Sequence, residues 1–292
     1  MTISSSYNSN KRFVLYLGDH LDLLQQIPNN IFDLSITSPP YFMGKEYDKS
    51  KKIEDFVTLH SKLLPEIIRI TKKGGSICWQ IGYHLNNGII TPLDYFINEI
   101  MFKKKDIYLR NRIIWTYGHG LHCRKRFSGR HEVLLWYTKG KDFYFDLDSV
   151  RIAQKYPGKK YYKGKKKGDY SCNPLGKNPS DVWNIPNVKA NHIEKTNHPC
   201  QFPIALVQMA IRSLTPINGV VFDPFIGSGS TAVAAIIEKR RFVGAEINKE
   251  YYKIAKSRCI DALNNRIKFR PIDQPIFKPS LTTAVAQNPF SI

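Results

Sequence analysis

Two apolar runs, far apart in the chain, each stop at a turn that few residue types can make, and together they confine the chain to an α/β architecture. Ile31-Phe32-Asp33-Leu34-Ser35-Ile36 leads into Thr37-Ser38-Pro39-Pro40-Tyr41, and Val220-Val221-Phe222-Asp223 leads into Pro224-Phe225-Ile226-Gly227-Ser228-Gly229-Ser230-Thr231. Short, nearly continuous apolar runs bounded by turn residues are strands buried on both faces, which is how a parallel sheet reads. In open α/β sheets the turns beyond the carboxyl ends of such strands are where ligands bind. One turn here offers a polar-Pro-Pro-aromatic tetrad, the other a small-residue loop.

The rest of the chain alternates strand and helix patterns around these two. Phe13–Leu17 reads as a strand ending at Gly18-Asp19, and Leu21–Ile27 as a brief helix. From Glu54, apolar residues at Phe56, Leu59, Leu63, Ile67 and Ile70 recur at helical spacing. Gly74-Gly75 is expected to end that helix, and Ser76–Ile81 to be a strand. Leu93, Phe96, Ile97, Ile100 and Met101 mark a further helix. Arg112–Tyr117 and Val133–Thr138 look like two strands joined by residues 118–132, which carry Arg124, Lys125, Arg126 and Arg130. Residues 42–53, with Lys45 among them, have no periodicity and read as a mobile basic loop. Between 140 and 195 the pattern breaks into Gly, Pro, Asn, Lys and Tyr, an insertion too long for an idle loop. Pro203 is well placed as a first helical residue, ahead of Ile204, Val207, Ile211 and Leu214. The strand Val220–Asp223, a helix from Thr231 to Lys239, the strand Phe242–Ile247 and a helix from Lys249 to Leu263 complete the order. This alternation predicts a largely parallel sheet with helices on both faces.

Charge narrows the partners. The chain carries 44 Lys+Arg against 24 Asp+Glu, a net +20, and such an excess favours a polyanion whose counterions are released on binding. Lys155, Lys159, Lys160, Lys163, Lys165, Lys166 and Lys167 crowd one stretch with Tyr156, Tyr161 and Tyr162 among them, a mixture suited to phosphates and bases. No apolar run is long enough for a membrane-spanning helix, the polar start lacks a signal-peptide core, and five scattered cysteines show no disulfide or zinc spacing. A reducing cytoplasm is the expected compartment, without membrane contact.

The two turns suggest group transfer between a nucleoside-like cofactor and a planar substrate. Glycines in Asp223-Pro224-Phe225-Ile226-Gly227-Ser228-Gly229 permit close backbone approach to a ligand, and Glu246, at the end of the next strand, suits a grip on ribose hydroxyls. In Ser38-Pro39-Pro40-Tyr41 the prolines fix the direction of the Pro39 carbonyl. That carbonyl and the Ser38 hydroxyl can accept both hydrogens of an aryl amine, turning its lone pair towards an electrophile. Tyr41 can stack on the ring, a contact worth roughly 1–3 kcal/mol.

The tetrad resembles motif IV of the amino-methylating DNA methyltransferases that use S-adenosyl-L-methionine, and residues 223–229 resemble their cofactor motif, with Glu246 as the ribose acid. Gly18-Asp19 is similar to the acidic position near the adenine ring, and His198-Pro199-Cys200-Gln201-Phe202-Pro203 to the segment leading into the cofactor half. Tetrad first and cofactor loop last is the order of the β group, and the resemblance covers about residues 12–260. It implies a doubly wound, mostly parallel seven-stranded methyltransferase sheet with an inserted irregular DNA-recognition segment. The implied division is a catalytic half (1–139), a recognition segment (140–195), a cofactor-binding half (196–265) and a tail (266–292). Ser38, Pro39, Pro40 and Tyr41 would be catalytic; Asp19, Asp223, Phe225, Gly227, Ser228, Gly229 and Glu246 would hold the cofactor. Double-stranded DNA would meet Lys45, Arg124, Lys125, Arg126, Lys160, Lys165 and Lys166, with bases read among Lys160, Asn173, Lys177, Asn184 and Asn187.

Within that family Ser-Pro-Pro-Tyr is similar to the cytosine-N4 enzymes and Asp-Pro-Pro-Tyr to the adenine-N6 ones; Phe202, where many members have Lys, also looks like the N4 side. The rivals are an adenine-N6 enzyme, a methyltransferase acting on RNA or a protein amide, and a DNA-binding protein without catalysis. A cognate restriction endonuclease is the partner that family analogy implies; no motif separates monomer from dimer. Cys200 mimics a C5-methyltransferase nucleophile in the wrong surroundings, and amino transfer needs no thiolate. His119, His122 and Cys123 do not make a closed zinc site, so no metal is expected. Lys253, Lys256 and Arg258 read as a solvated helix face, and Trp115 and Trp136 as packed in the sheet.

Overall fold

The computed structural model describes residues 2–44, 52–120 and 122–276, with 280, 282, 283 and 287 of the tail; Lys45 and most of its loop lie outside the described residues. In chain order the elements are β1 (Ile3–Ser4), β2 (Phe13–Leu17), α1 (His20–Gln26), β3 (Phe32–Thr37), α2 (Ile53–Ile70), β4 (Thr71–Ile81), β5 (Tyr83–Asn86), β6 (Ile89–Pro92), α3 (Leu93–Phe102), β7 (Ile107–Thr116), β8 (His131–Lys139), β9 (Val182–Asn184), α4 (Ile204–Leu214), β10 (Val220–Asp223), α5 (Ser230–Ile237), β11 (Arg241–Glu246) and α6 (Lys249–Leu263). Nine strands form one sheet in the order β1-β2-β11-β10-β3-β4-β8-β7-β9. Its pairings are parallel except those that β8 makes with β4 and β7. The seven longer strands are the expected sheet, and a strand of two residues and one of three extend its edges.

Strand period sorts the core into two layers. Phe13, Leu15, Leu34, Ile36 and Val221 point to the face covered by α4, α5 and α6. Val14, Phe222 and Val243 point to the face covered by α1, α2 and α3, and Phe32 joins them because the register shifts between it and Leu34. Successive side chains of a strand lie on opposite faces, so both faces are buried; β10 reads as an apolar run up to Asp223, while β3 buries Ser35 and Thr37 between its apolar residues. The chain leaves β3 through α2 to β4 on one side, and leaves β10 through α5 to β11 on the other. Because β3 and β10 are neighbours, their carboxyl ends open the crevice where a doubly wound sheet binds ligands.

Several local expectations change. Gly74-Gly75 does not end α2; the helix stops at Ile70, Thr71 turns extended, and both glycines lie within β4. The Thr71 hydroxyl donates to Ile67 O at 2.7 Å, holding the chain at the junction, while Gly74 at φ 76° takes up an irregularity in the strand. Pro203 caps α4 rather than starting it, because the buried Glu194 carboxylate accepts the Ile204 N–H at 2.9 Å. The β5–β6 hairpin was not expected; Asn87 and Gly88, at φ 48° and 82°, make its two-residue turn, the left-handed pair such turns favour.

The insertion is an arm. Bridges Ile152↔Lys177 and Lys160↔Tyr170 fold it back on itself, and β9 fastens its return to the sheet edge beside β7. Among the described residues no helix is long and apolar enough to cross a membrane.

Candidate active site

One buried carboxylate ties the two turns together. Asp223, fully buried at the end of β10, accepts from the Thr37 hydroxyl at 2.6 Å, the Thr231 hydroxyl at 2.5 Å and the Phe225 N–H at 2.9 Å. Burial raises its pKa to about 6 against the pull of these donors. The residue before the tetrad, the loop and the first turn of α5 therefore share one acceptor. Asp223 spends its oxygens inside the protein, beneath the loop.

The loop itself needs its glycines. Gly229, at φ 84°, caps α5, and a Cβ there would stand 2.9 Å from Ala255 Cα on α6, so a side chain would force the two helices apart. The Gly227 N–H donates to Glu246 Oε2 and the Asn248 N–H to Oε1, both at 2.8 Å. Burial raises the Glu246 pKa. The Ile247 N–H acts on this carboxylate as well, and of its roughly four acceptor sites the remainder is left for a ligand hydroxyl. Asp19 caps α1 through the Leu21 N–H at 2.7 Å, and Gly18 N–H donates to Glu246 O at 3.0 Å, which sets these acids at adjoining strand ends. The His20 and Phe225 rings lie 4.8 Å apart, and His20 Nδ1 lies 3.5 Å from Asp19 Oδ1.

Arg258 is not on a solvated face. It is 8 % exposed, and its Nη1 donates to Ser228 O at 2.6 Å and to the Ser228 hydroxyl at 3.1 Å. Ser228 thus faces this guanidinium from the far side of the loop. The neighbouring lysines of α6 hid it, since the helix carries charge on several faces. R258A, which deletes hydrogen bonds from a charged donor, is expected to cost roughly 1.5–3 kcal/mol in urea unfolding; an unchanged midpoint would remove the buttress role.

At the other turn Pro39 is buried, Ser38 and Tyr41 are half-buried, and Phe42 follows at φ 54°, a costly value for a bulky residue. The Tyr41 hydroxyl donates to Glu132 Oε2 at 3.4 Å and also meets the Ser38 and Gln80 side chains. Gln80 Nε2 donates to the same Glu132 oxygen. Burial raises the Glu132 pKa to about 7. Neither Gln80 nor Glu132 stood out in the sequence, because strand register alone brings them to the tetrad.

The basic candidates fall on two connected elements. Arg126 sits 5.7 Å from the Tyr83 ring centre in the β7–β8 connector, which also holds Arg124 and Lys125. On the arm, Lys160 lies 5.1 Å from the Tyr170 ring and Lys163 5.2 Å from that of Tyr162, with Lys165 and Lys166 exposed at the tip. Asn187 Nδ2 donates to His119 O at 3.2 Å and joins arm to connector. Trp115 and Trp136 are buried in the sheet. Among the described residues no three His, Cys, Asp or Glu side chains are grouped to hold a metal.

The chain is similar over most of its length to known proteins. It is 44% identical over 254 residues to Type II methyltransferase M.BglII of Bacillus subtilis, covering 87% of this chain and 70% of that protein. It is 40% identical over 263 residues to Type II methyltransferase M.ScaI of Streptomyces caespitosus, covering 88% and 84%. The solved PvuII DNA methyltransferase (cytosine-N4-specific) shares the fold at a TM-score of 0.66 and 20% identity, over 87% of this chain and 92% of that one. The family of N6 and N4 DNA methylases matches residues 32–257, a span that begins on β3, ends on α6 and encloses both turns; the chain belongs to that family of DNA methyltransferases.

Proposed function

We propose that the protein methylates the exocyclic N4 of cytosine at a specific site in duplex DNA, as the modification enzyme of a restriction–modification pair. The observation that carries the choice of atom is Ser38 in the acceptor position of the tetrad, next to a Pro39 carbonyl fixed by two prolines. The serine hydroxyl and that carbonyl accept the amine hydrogens and hold the nitrogen lone pair in one direction. The target amine is paired inside the duplex, so the base swings out, at a cost of a few kcal/mol, and stacks on Tyr41. Holding the reactants in line supplies roughly 7–11 kcal/mol of barrier reduction.

S-adenosyl-L-methionine, when bound, supplies an electrophilic methyl group. The donor set fits it: Glu246 keeps acceptor capacity for a ribose hydroxyl, Asp19 stands at the adjoining strand end, and the Phe225 ring beside His20 offers a face to a flat ring. Gly227, Ser228 and Gly229 bring backbone to the ligand, and Asp223 shapes that loop from below.

Phosphates are met by Arg124, Lys125 and Arg126 on the connector and by Lys160, Lys165 and Lys166 on the arm, while Lys45 belongs to the loop beyond the tetrad. Affinity for duplex DNA is expected to fall steeply with salt. Each of the alanine changes at Lys160, Lys165 and Lys166 is expected to reduce the slope of log K against log salt by about 0.9. A salt-insensitive affinity would discard the phosphate contacts. The chemistry is tested by incubating unmethylated plasmid with labelled cofactor and digesting to nucleosides for mass spectrometry. N4-methylcytidine is the expected product. N6-methyladenine would move the target and keep the mechanism, C5-methylcytosine would overturn the mechanism, and transfer only to RNA or protein would overturn the substrate.

A further inference from the structure

Direct attack by an amine leaves one proton to be removed, and the tetrad has an ionisable neighbour that direct attack does not employ. Glu132 stands on β8, opposite Trp115 of β7. The Tyr41 hydroxyl lies between it and Ser38, donating to Glu132 Oε2 at 3.4 Å and meeting the Ser38 side chain as well. Gly82 permits this closeness: a Cβ there would stand 3.1 Å from Tyr41 Cε2 and 3.5 Å from Glu132 Cγ.

Resting on the amine methylation above, we propose that Glu132 is the terminal acceptor of the substrate proton, reached through the hydroxyls of Ser38 and Tyr41. The nitrogen forms its bond to the methyl carbon as that carbon's bond to sulfur breaks, and the electron pair stays on sulfur. The surplus proton on nitrogen passes to Ser38 Oγ while the Ser38 proton passes to the Tyr41 oxygen and the Tyr41 proton to Glu132 Oε2. Both hydroxyls are restored, the carboxylate ends as a carboxylic acid, and it returns the proton to water when product leaves. Burial raises Tyr41 well above the usual phenol range, so its proton moves in concert rather than leaving a phenolate. The 3.4 Å contact is long, and catalytic hydrogen bonds of this kind shorten when substrate binds.

The carboxylate's surroundings suit a proton acceptor at neutral pH. Burial raises Glu132 to about 7, opposed by Gln80 on β4, Tyr41 after β3, Lys189 on the arm's return and Tyr117 after β7. Arg130 and Tyr83 act on Tyr117, and Cys200 on Tyr41. Below its pKa Glu132 already carries a proton and the relay is blocked; above it the relay is open.

The test is single-turnover transfer to duplex DNA from about pH 5.5 to 9 by the wild type, E132Q, E132D and Y41F. The wild-type rate is expected to fall about tenfold per pH unit below 7 and level off above it. E132Q is expected to be roughly a hundredfold slower at the plateau and to lose the acid limb, with cofactor and DNA affinities unchanged. E132D restores part of the rate and keeps the limb, and Y41F/E132Q is no slower than the slower single variant, as for residues acting in one chain. Independently of turnover, the carboxyl infrared band that E132Q removes is expected to titrate near 7 in the free protein. An E132Q enzyme with the wild-type rate and acid limb overturns the relay and sends the proton to water. A wild type that transfers to no DNA overturns the methylation reading itself, which is a different result.

Discussion

Replacing Asp223 with alanine is expected to lower stability by roughly 3–6 kcal/mol, since two buried hydroxyls and a half-buried N–H lose their acceptor at about 1–3 kcal/mol each and the hydroxyls recover part of it. Against a total of roughly 5–15 kcal/mol for folded domains, that is a loss seen at once in urea unfolding. D223N keeps the shape and one acceptor, so it costs less, and its deficit depends on pH. The folded pKa of Asp223 is about 6, raised from 3.8. Its contribution is therefore fully present below the unfolded pKa and is lost as pH rises through 6, about 3 kcal/mol in all. Asparagine has no such loss. The gap between wild type and D223N should be widest near pH 4 and narrow by pH 8; a gap that widens with pH would contradict the burial-raised carboxyl.

Ser38→Ala is expected to slow methyl transfer about a hundredfold or more, the scale seen when one positioned polar partner of a reacting group is removed. Cofactor affinity and unfolding midpoint should hold, because Ser38 is half-buried and the Thr37–Asp223 bond at 2.6 Å remains to place the tetrad. The Pro39 carbonyl still accepts one amine hydrogen, which leaves measurable activity. Rapid-quench turnover with product digestion measures it, and a loss under tenfold would take the serine out of the chemistry. Loss of folding in S38A would instead mean that its hydroxyl serves the turn.

The parts that were legible in the sequence are those whose signal is local. β10 stands out because burial on both faces leaves no polar alternation, β3 because its alternating apolar residues run straight into a proline turn, and α2 because Phe56, Leu63 and Ile67 repeat at helical spacing. The tetrad and glycine loop were legible because proline and glycine fix backbone geometry wherever they occur. Glu132 and Gln80 were not, since each looks like an ordinary polar residue at a strand end until β4 and β8 pair antiparallel. Arg258 was misread because its partner is a carbonyl of the distant glycine loop, and no spacing rule reports that. The β5–β6 hairpin, by contrast, carries a local signal, since Asn87-Gly88 is a turn pair that its left-handed backbone requires.

The arm's construction bears on how much sequence change this part of the protein can take. Its foot is fixed by β9 and by the Trp115 indole donating to Ile185 O at 2.8 Å. Towards the tip the Tyr161 N–H to Asp169 O, Gly168 N–H to Tyr161 O and Ser171 N–H to Lys159 O bonds all close within the arm. Sequence drift at the tip is thus uncoupled from the folding of the sheet, as exposed loop tips on rigid scaffolds generally are. A graft exchanging residues 156–172 between relatives, with the foot retained, is the exchange the architecture tolerates, because the bonds it replaces close within the arm and leave the sheet untouched.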